Sequence, residues 1–375
     1  MSLNPFKLER YFAKHEFTAQ YLLSPSDCES LGMSELLQMA DPESLSLWEE
    51  LRLGYTESPG HPLLRAEAAG LYPPLTASDL TVAAPEEAIF IAMHTLLKPG
   101  DGVISVYPAY QSLYEIARAT GCQVIPWMFE MSEQGWRLDL DWLEDNINEQ
   151  TRLLVINFPH NPTGHLPSRQ DFDRIIALAR EHDLYLFSDE MYRLLEYESA
   201  SRLPPVCTVY EKGISLSGLS KTFALPGLRI GWLATRDRDL LDRWLAFKDY
   251  TTICSSAPSE VLGIIALRAK DRIIRRNLEI IRHNLGVAEQ FFSDRRGHFN
   301  WIRPAAGSTA FPQLTDGAPV ESFCAEVLEQ QGVMIVPGSL FDFPGNHFRV
   351  GLGRRNLGEA LARVGEYLDS RAKRR

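Results

Sequence analysis

Between Leu80 and Asp189 the chain alternates between two kinds of hydrophobic pattern, and few folds accept such a sequence. LTVAA from Leu80, GVISVY from Gly102, CQVIPW from Cys122, RLLVINF from Arg152 and DLYLFSDE from Asp183 are short apolar runs, which read as strands buried on both faces. The stretches between them, such as PEEAIFIAMHTLL, PAYQSLYEIARATG and DFDRIIALAREH, repeat apolar residues at helical spacing. Pro85 followed by Glu86 and Glu87 marks a helix start, and Gly100 and Gly121 mark ends. Strands separated by helices of this length pair in parallel through crossovers. The expected fold is α/β, with a mostly parallel, doubly wound sheet whose carboxyl strand ends carry the site.

The stretch SLSGLSKTFALPGLRIGWLA, Ser215 to Ala234, places Lys221 in a turn rich in small residues, with Arg229 eight residues on. A lone lysine is ordinarily a solvated one. Here Ser217, Gly218 and Ser220 precede it and Pro226-Gly227 follows, so a tight turn is expected instead. RIGWLA reads as a buried strand opened by Arg229, and a buried guanidinium needs an anion. An amine among cations can lose its proton and attack a carbonyl, which suggests a phosphate-bearing carbonyl compound. Asp189, at the end of LYLFSD, needs a partner of its own, and Asn161 lies in the turn Asn161-Pro162-Thr163-Gly164 after another strand.

With 375 residues, two cores or one large and one small are expected. A net charge of −11 disfavours nucleic acid as a partner. Five scattered cysteines without a C-x-x-C pair fit reduced thiols, hence a cytoplasmic protein with no metal centre. No run approaches the roughly 18 apolar residues a membrane span takes, and MSLNPFKLERYFAKHEF has no apolar signal core. Phe6, Leu8, Tyr11, Phe12, Phe17 and Tyr21 recur at helical intervals, which reads as a segment docked on the body. Trp48, Leu51 and Leu53 suggest a short helix ending at Gly54. Asp27 and Glu29, after a Ser-Pro-Ser turn, either cap and solvate or face a cationic side chain.

Taken in order, G-Y-x-x-x-x-G-x-x-x-L-R at Tyr55, the turn Ala84-Pro85-Glu86, Tyr110, N-P-T-G at Asn161, D-x-x-Y at Asp189 and Tyr192, S-x-x-S-K ending at Lys221, Arg229 in P-G-L-R-I-G-W, and Arg349 in HFRVGLG form one series. That series resembles fold-type I pyridoxal 5′-phosphate enzymes, and more narrowly the class I/II aminotransferases of the aspartate aminotransferase type. The resemblance implies a large domain over 37–270 with a seven-stranded sheet, and a small α+β domain from 1–36 and 271–375. It implies an internal aldimine on Lys221, which also serves as base, with Asp189 on the pyridine nitrogen and Asn161 and Tyr192 on the ring O3′. Tyr110 would stack on the ring. The phosphate would lie among Ala84, Pro85, Glu86, Ser217, Ser220 and Arg229, with Tyr55 reaching it from the other subunit of a homodimer. Arg349, with Asn161, would hold the substrate carboxylate.

Three residues depart from the family pattern. Pro85 donates no N–H and Glu86 brings a carboxylate to a phosphate cradle, and Gly218 stands where many relatives have Ser or Thr. The activity implied is transfer of the amino group of an L-amino acid to a 2-oxo acid. The same residues would also serve a carbon–sulfur lyase, a cyclase or lyase acting on a basic amino acid, or a cofactor-binding regulator without turnover.

Overall fold

A computed structural model of the chain describes residues 3–132 and 135–372. The first helix, α1, is Lys7–His15. Its turns end there, with Glu16 as C-cap, so Phe17 loses the helical phase and lies 89% exposed rather than docked. The next pattern forms a helix over Pro42–Glu49, shorter than the sequence suggests. Asp41 starts it by accepting hydrogen bonds from the N–H groups of Glu43 and Ser44.

Seven strands follow in the expected alternation: β1 Leu80–Ala83, β2 Gly102–Tyr107, β3 Gln123–Met128, β4 Thr151–Asn157, β5 Tyr185–Asp189, β6 Gly213–Gly218 and β7 Gly231–Ala234. They form one sheet in the spatial order β1-β7-β6-β5-β4-β2-β3. β7 runs antiparallel between β1 and β6, and every other neighbouring pair is parallel. The apolar runs explain this placement, because every residue of β1, β2, β5, β6 and β7 is buried. β3, at the edge, keeps exposed residues and tolerates Pro126. The helix α2, Pro85–Leu96, leaves directly from β1.

Beyond the sheet, α3, Lys270–Asp294, buries a stripe from Ile273 through Ile281, Leu285 and Ala288 to Phe292. Its Asn277 Nδ2 donates to the Thr222 carbonyl at 3.0 Å, and its Asn284 Nδ2 donates to the carbonyls of Leu352 and Arg354 at 2.9 and 2.7 Å. One helix thus ties the Lys221 turn to the C-terminal strands. There Phe348–Gly351 lies between Thr309–Ala310 and Val336–Pro337, antiparallel to both. The N-terminal Tyr21–Leu22 pairs in parallel with Val333–Met334, so the two ends of the chain share a layer. No helix among the described residues is long and apolar enough to cross a membrane.

Candidate active site

Lys221 occupies the turn that leaves β6, and several bonds hold that turn. The Leu225 N–H donates to the Leu219 carbonyl at 3.0 Å, and Thr222 Oγ1 donates to the carbonyls of Met191 and Arg193 at 3.1 and 2.8 Å. The glycine at 218 has a steric reason. A Cβ there would come within 2.9 Å of both Gly231 Cα and the Ile230 carbonyl oxygen, and within 3.2 Å of Pro85 Cγ. Close approach of β7 and of α2 to β6 therefore excludes the hydroxyl residue of the family pattern. Lys221 Nζ donates to Ser26 Oγ at 3.0 Å. Burial pushes its pKa down, against the pull of Asp27, and Arg349 adds to the downward push.

Around this amine lie the strand ends. Asp189 closes β5, is buried, and accepts through Oδ1 from the Met191 N–H at 3.0 Å. Its Oδ2 makes no hydrogen bond among the described residues. Burial raises its pKa to about 6 although Lys221 pulls the other way. Tyr192 is buried and lines the same cavity. Asn161 follows β4; its N–H donates to Asn157 Oδ1 at 2.9 Å, and Asn157 Nδ2 donates to the Asp189 carbonyl at 2.8 Å. Those two bonds lock the ends of β4 and β5 together.

Arg349 comes from the other side, in Phe348–Gly351, and is only 1% exposed. Its Nε donates to the Ser24 carbonyl at 2.9 Å and its Nη1 to Asn161 Oδ1 at 3.1 Å. Nη2 makes no hydrogen bond, and the guanidinium meets no carboxylate, among the described residues. Desolvation pushes its pKa down. A buried cation in this state calls for an anion from outside the chain.

Lys221, Asp189, Tyr192, Asn161, Arg349, Tyr110, Ser220, Arg229, Pro85 and Glu86 all line one cavity of about 840 Å³. Ala84 caps α2 beside it, and Ser217 is buried in β6 behind the lysine turn; neither lines the cavity. Arg229 differs from its sequence reading. It precedes β7 in a left-handed conformation, φ 55°, is exposed, and donates through Nη1 only to the Pro226 carbonyl at 3.1 Å. The buried strand begins two residues later, so Arg229 reaches the cavity from a turn. Glu86 accepts from Ser112 Oγ at 3.2 Å, and burial pushes its carboxyl up to about 7. Tyr55 stands apart, 92% exposed on the surface.

Sequence reasoning missed Ser26, which accepts from Lys221, and the side chains of Glu9 and Phe12 on α1 and of its C-cap Glu16, which line the same cavity. Positions 9, 12 and 16 follow i, i+3, i+7, which was the available signal. Asp27 also lines the cavity, but its carboxylate accepts from Arg354 at 2.8 Å. Glu29 is paired with Arg355 at 3.2 Å.

The donor set suits pyridoxal 5′-phosphate. At one end the first-turn N–H of Glu86, which a helix leaves without an internal partner, lies with Ser220 and Arg229 on the cavity wall and could hold a phosphate. The free Oδ2 of Asp189 suits a protonated ring nitrogen, and Lys221 supplies the amine for an aldehyde.

Comparison with known proteins agrees. The family model for aminotransferase class I and II matches residues 39–364. Capreomycidine synthase of Streptomyces vinaceus is 31% identical over 98% of this chain and 95% of that protein. A PLP-dependent aminotransferase from Streptococcus suis superposes with a TM-score of 0.91 at 32% identity, over 100% of this chain and 99% of the other. The PLP-dependent cyclase OrfR does so with a TM-score of 0.90 at 26% identity, over 99% and 98%. The cofactor is pyridoxal 5′-phosphate, and the chain belongs to the class I and II aminotransferase family.

Proposed function

We propose that the protein moves the amino group of an L-amino acid to a 2-oxo acid. Bound in the cavity, the cofactor supplies an aldehyde for amines and a ring that withdraws the electron pair left when the α C–H bond breaks. Lys221 Nζ takes that proton, and its depressed pKa favours the neutral base. Ser26 Oγ holds the amine in place. Asp189, ionised, keeps a cationic ring nitrogen in a buried setting, while Asn161 and Tyr192 are positioned for the ring hydroxyl. Ser220, Arg229, Glu86 and Ala84-Pro85 bound the phosphate end, with Ser217 behind the lysine turn, and Tyr110 covers the ring. Arg349 takes the substrate carboxylate through its free Nη2.

The observation that carries this reading is a single cavity holding the lysine, an aspartate with a free oxygen, and a buried arginine without a carboxylate. The division into 37–270 and 1–36 with 271–375 is supported by the pairing of Tyr21–Leu22 with Val333–Met334. A homodimer with Tyr55 donated across the interface is supported by that side chain's exposure.

A second reading is cyclisation of a basic amino acid; the likeness to the PLP-dependent cyclase OrfR favours the cyclisation, and the acidic side chains lining the cavity favour a basic substrate. Both start with loss of the α-proton, and they differ in product. Holoenzyme is incubated with single L-amino acids, with and without 2-oxoglutarate, and products are identified by mass spectrometry. A new 2-oxo acid that needs the acceptor supports transfer. A ring product formed without acceptor supports the second reading, and neither product from any amino acid overturns both.

A further inference from the structure

The cavity contains more carboxylates than the reaction uses. Its cations are Lys221, Arg229, Arg349 and Arg354; its acids are Glu9, Glu16, Asp27, Glu86 and Asp189. Arg354 is matched by Asp27 at 2.8 Å. On the reading above, Arg229 and Asp189 face the cofactor and Arg349 faces the substrate carboxylate. Glu86 rests on Ser112 with its carboxyl pushed up to about 7. Glu9 and Glu16 are left over.

Neither has a cation partner among the described residues. Among the described residues the Glu9 carboxylate accepts only from the neutral Tyr110 Oη, at 2.8 Å, and the Glu16 carboxylate has no hydrogen bond or ion pair. Burial, then Asp27 and Glu9, push the Glu16 carboxyl up against the downward pull of Arg354 and Lys221, and a cation placed beside the two glutamates would relieve what remains. Phe12 lies between them on the same face of α1, and the Arg349 guanidinium is 5.8 Å from its ring centre. The helix therefore presents acid, aromatic and acid to a cavity whose buried arginine has a free Nη2. A ligand that satisfies all of these carries a carboxylate, an amine and a second cation.

We propose that Glu9 and Glu16 are specificity residues for the cationic side chain of a basic amino acid, such as one bearing a guanidinium. The inference rests on the assignment of Lys221 and Arg349 above. Glu16 is the principal partner, because Glu9 also anchors Tyr110. Arginine and citrulline share a shape and differ by the charge of the side-chain end, so the pair isolates this contact.

The test is calorimetric binding of L-arginine and L-citrulline to cofactor-loaded protein in a Lys221→Ala background, where nothing turns over. Arginine is expected to bind about tenfold more tightly than citrulline, the scale of one charge-assisted contact. Adding Glu16→Gln removes most of that ratio while citrulline affinity holds. Glu16→Lys reverses it, in favour of L-glutamate. Equal binding of arginine and citrulline, or an unchanged ratio in Glu16→Gln and Glu9→Gln alike, overturns the inference. The visible band of the wild-type holoenzyme, and a pyridoxyl group on Lys221 after borohydride reduction, report the underlying assignment separately. A coloured protein without charge preference loses only the inference, and a colourless one loses the Lys221 chemistry.

Discussion

The floor and the wall of the cavity are built differently. The floor consists of strand ends: Asp189 on β5 and Asn161 after β4, buried and cross-linked by Asn157, with the half-buried Lys221 in the turn after β6. The wall is α1, nine residues long, held by bonds to separate parts of the molecule. Asn4 Nδ2 donates to Glu115 at 2.6 Å, the Lys7 N–H to Gln111 Oε1 at 2.9 Å, and Tyr11 Oη to the Ile335 carbonyl at 2.8 Å, while Lys7 pairs with Asp342. A helix this short has little stability of its own and depends on those anchors. Chemistry common to many substrates is placed on the rigid part. Recognition of one substrate is left to the part whose side chains can change without disturbing the sheet.

The sharpest way to break this division is at the floor. Lys221→Ala removes the group that takes the α-proton, and turnover should fall by roughly 10³-fold or more. Stopped-flow deuterium exchange at the substrate α-carbon checks it. A variant that still exchanges the α-proton at the wild-type rate would move the base elsewhere, onto the wall or a solvent molecule.

Asp189 gives the next largest effect, through stability. Its pKa in the folded, cofactor-free protein is raised from 3.8 to about 6, chiefly by burial. The unfolded chain ionises first, so between those values the folded state holds the extra proton, and stability falls as pH rises through the window. Above pH 6 the cost is complete, about 3 kcal/mol. Asp189→Asn should therefore make the cofactor-free protein more stable than wild type at pH 7.5, with a smaller gap at pH 4.5. Cofactor should stabilise the wild type more than the variant. Urea midpoints at both pH values, with and without cofactor, measure this. An equal gap at both pH values would mean that the buried carboxylate is neutralised within the chain, and the floor would need no cationic ring nitrogen.

The same contrast explains what the sequence made legible. The floor residues fall at the ends of strongly patterned segments, and motifs such as N-P-T-G and S-x-x-S-K fix their spacing. The mostly parallel sheet, the buried β1 and β5, and the helix start at Pro85 followed from alternation and turn chemistry, whereas the strand order and the antiparallel β7 did not. Arg229 was misread because RIGWLA is continuous in hydropathy, whereas the chain turns left-handed at 229 before the strand begins. The wall was legible only as a docked amphipathic segment. Glu9 and Glu16 look like solvated positions unless the opposing surface is known, and that surface is assembled from segments as far apart as Asp27, Glu86, Lys221 and Arg349. Ser26 gave no local signal, because its partners are Lys221 and Ser308.

The smallest effect sharpens the comparison, because it touches the wall without touching the cavity. Asn4 does not line the active-site cavity, and among the described residues its side chain hydrogen-bonds only Glu115. Asn4→Ala removes one charge-assisted bond, leaving the backbone N–H of residue 4 to approach the same carboxylate at 3.2 Å. A loss of about 1 kcal/mol follows, or about fivefold in the opening equilibrium of α1. Amide exchange of the α1 backbone should speed up by that factor, and KM for the preferred amino acid should rise by no more. Cofactor affinity should not change, since none of its proposed contacts lies on α1. If cofactor affinity falls with KM, the Glu9–Tyr110 bond transmits the change to the floor, and the two regions act as one unit.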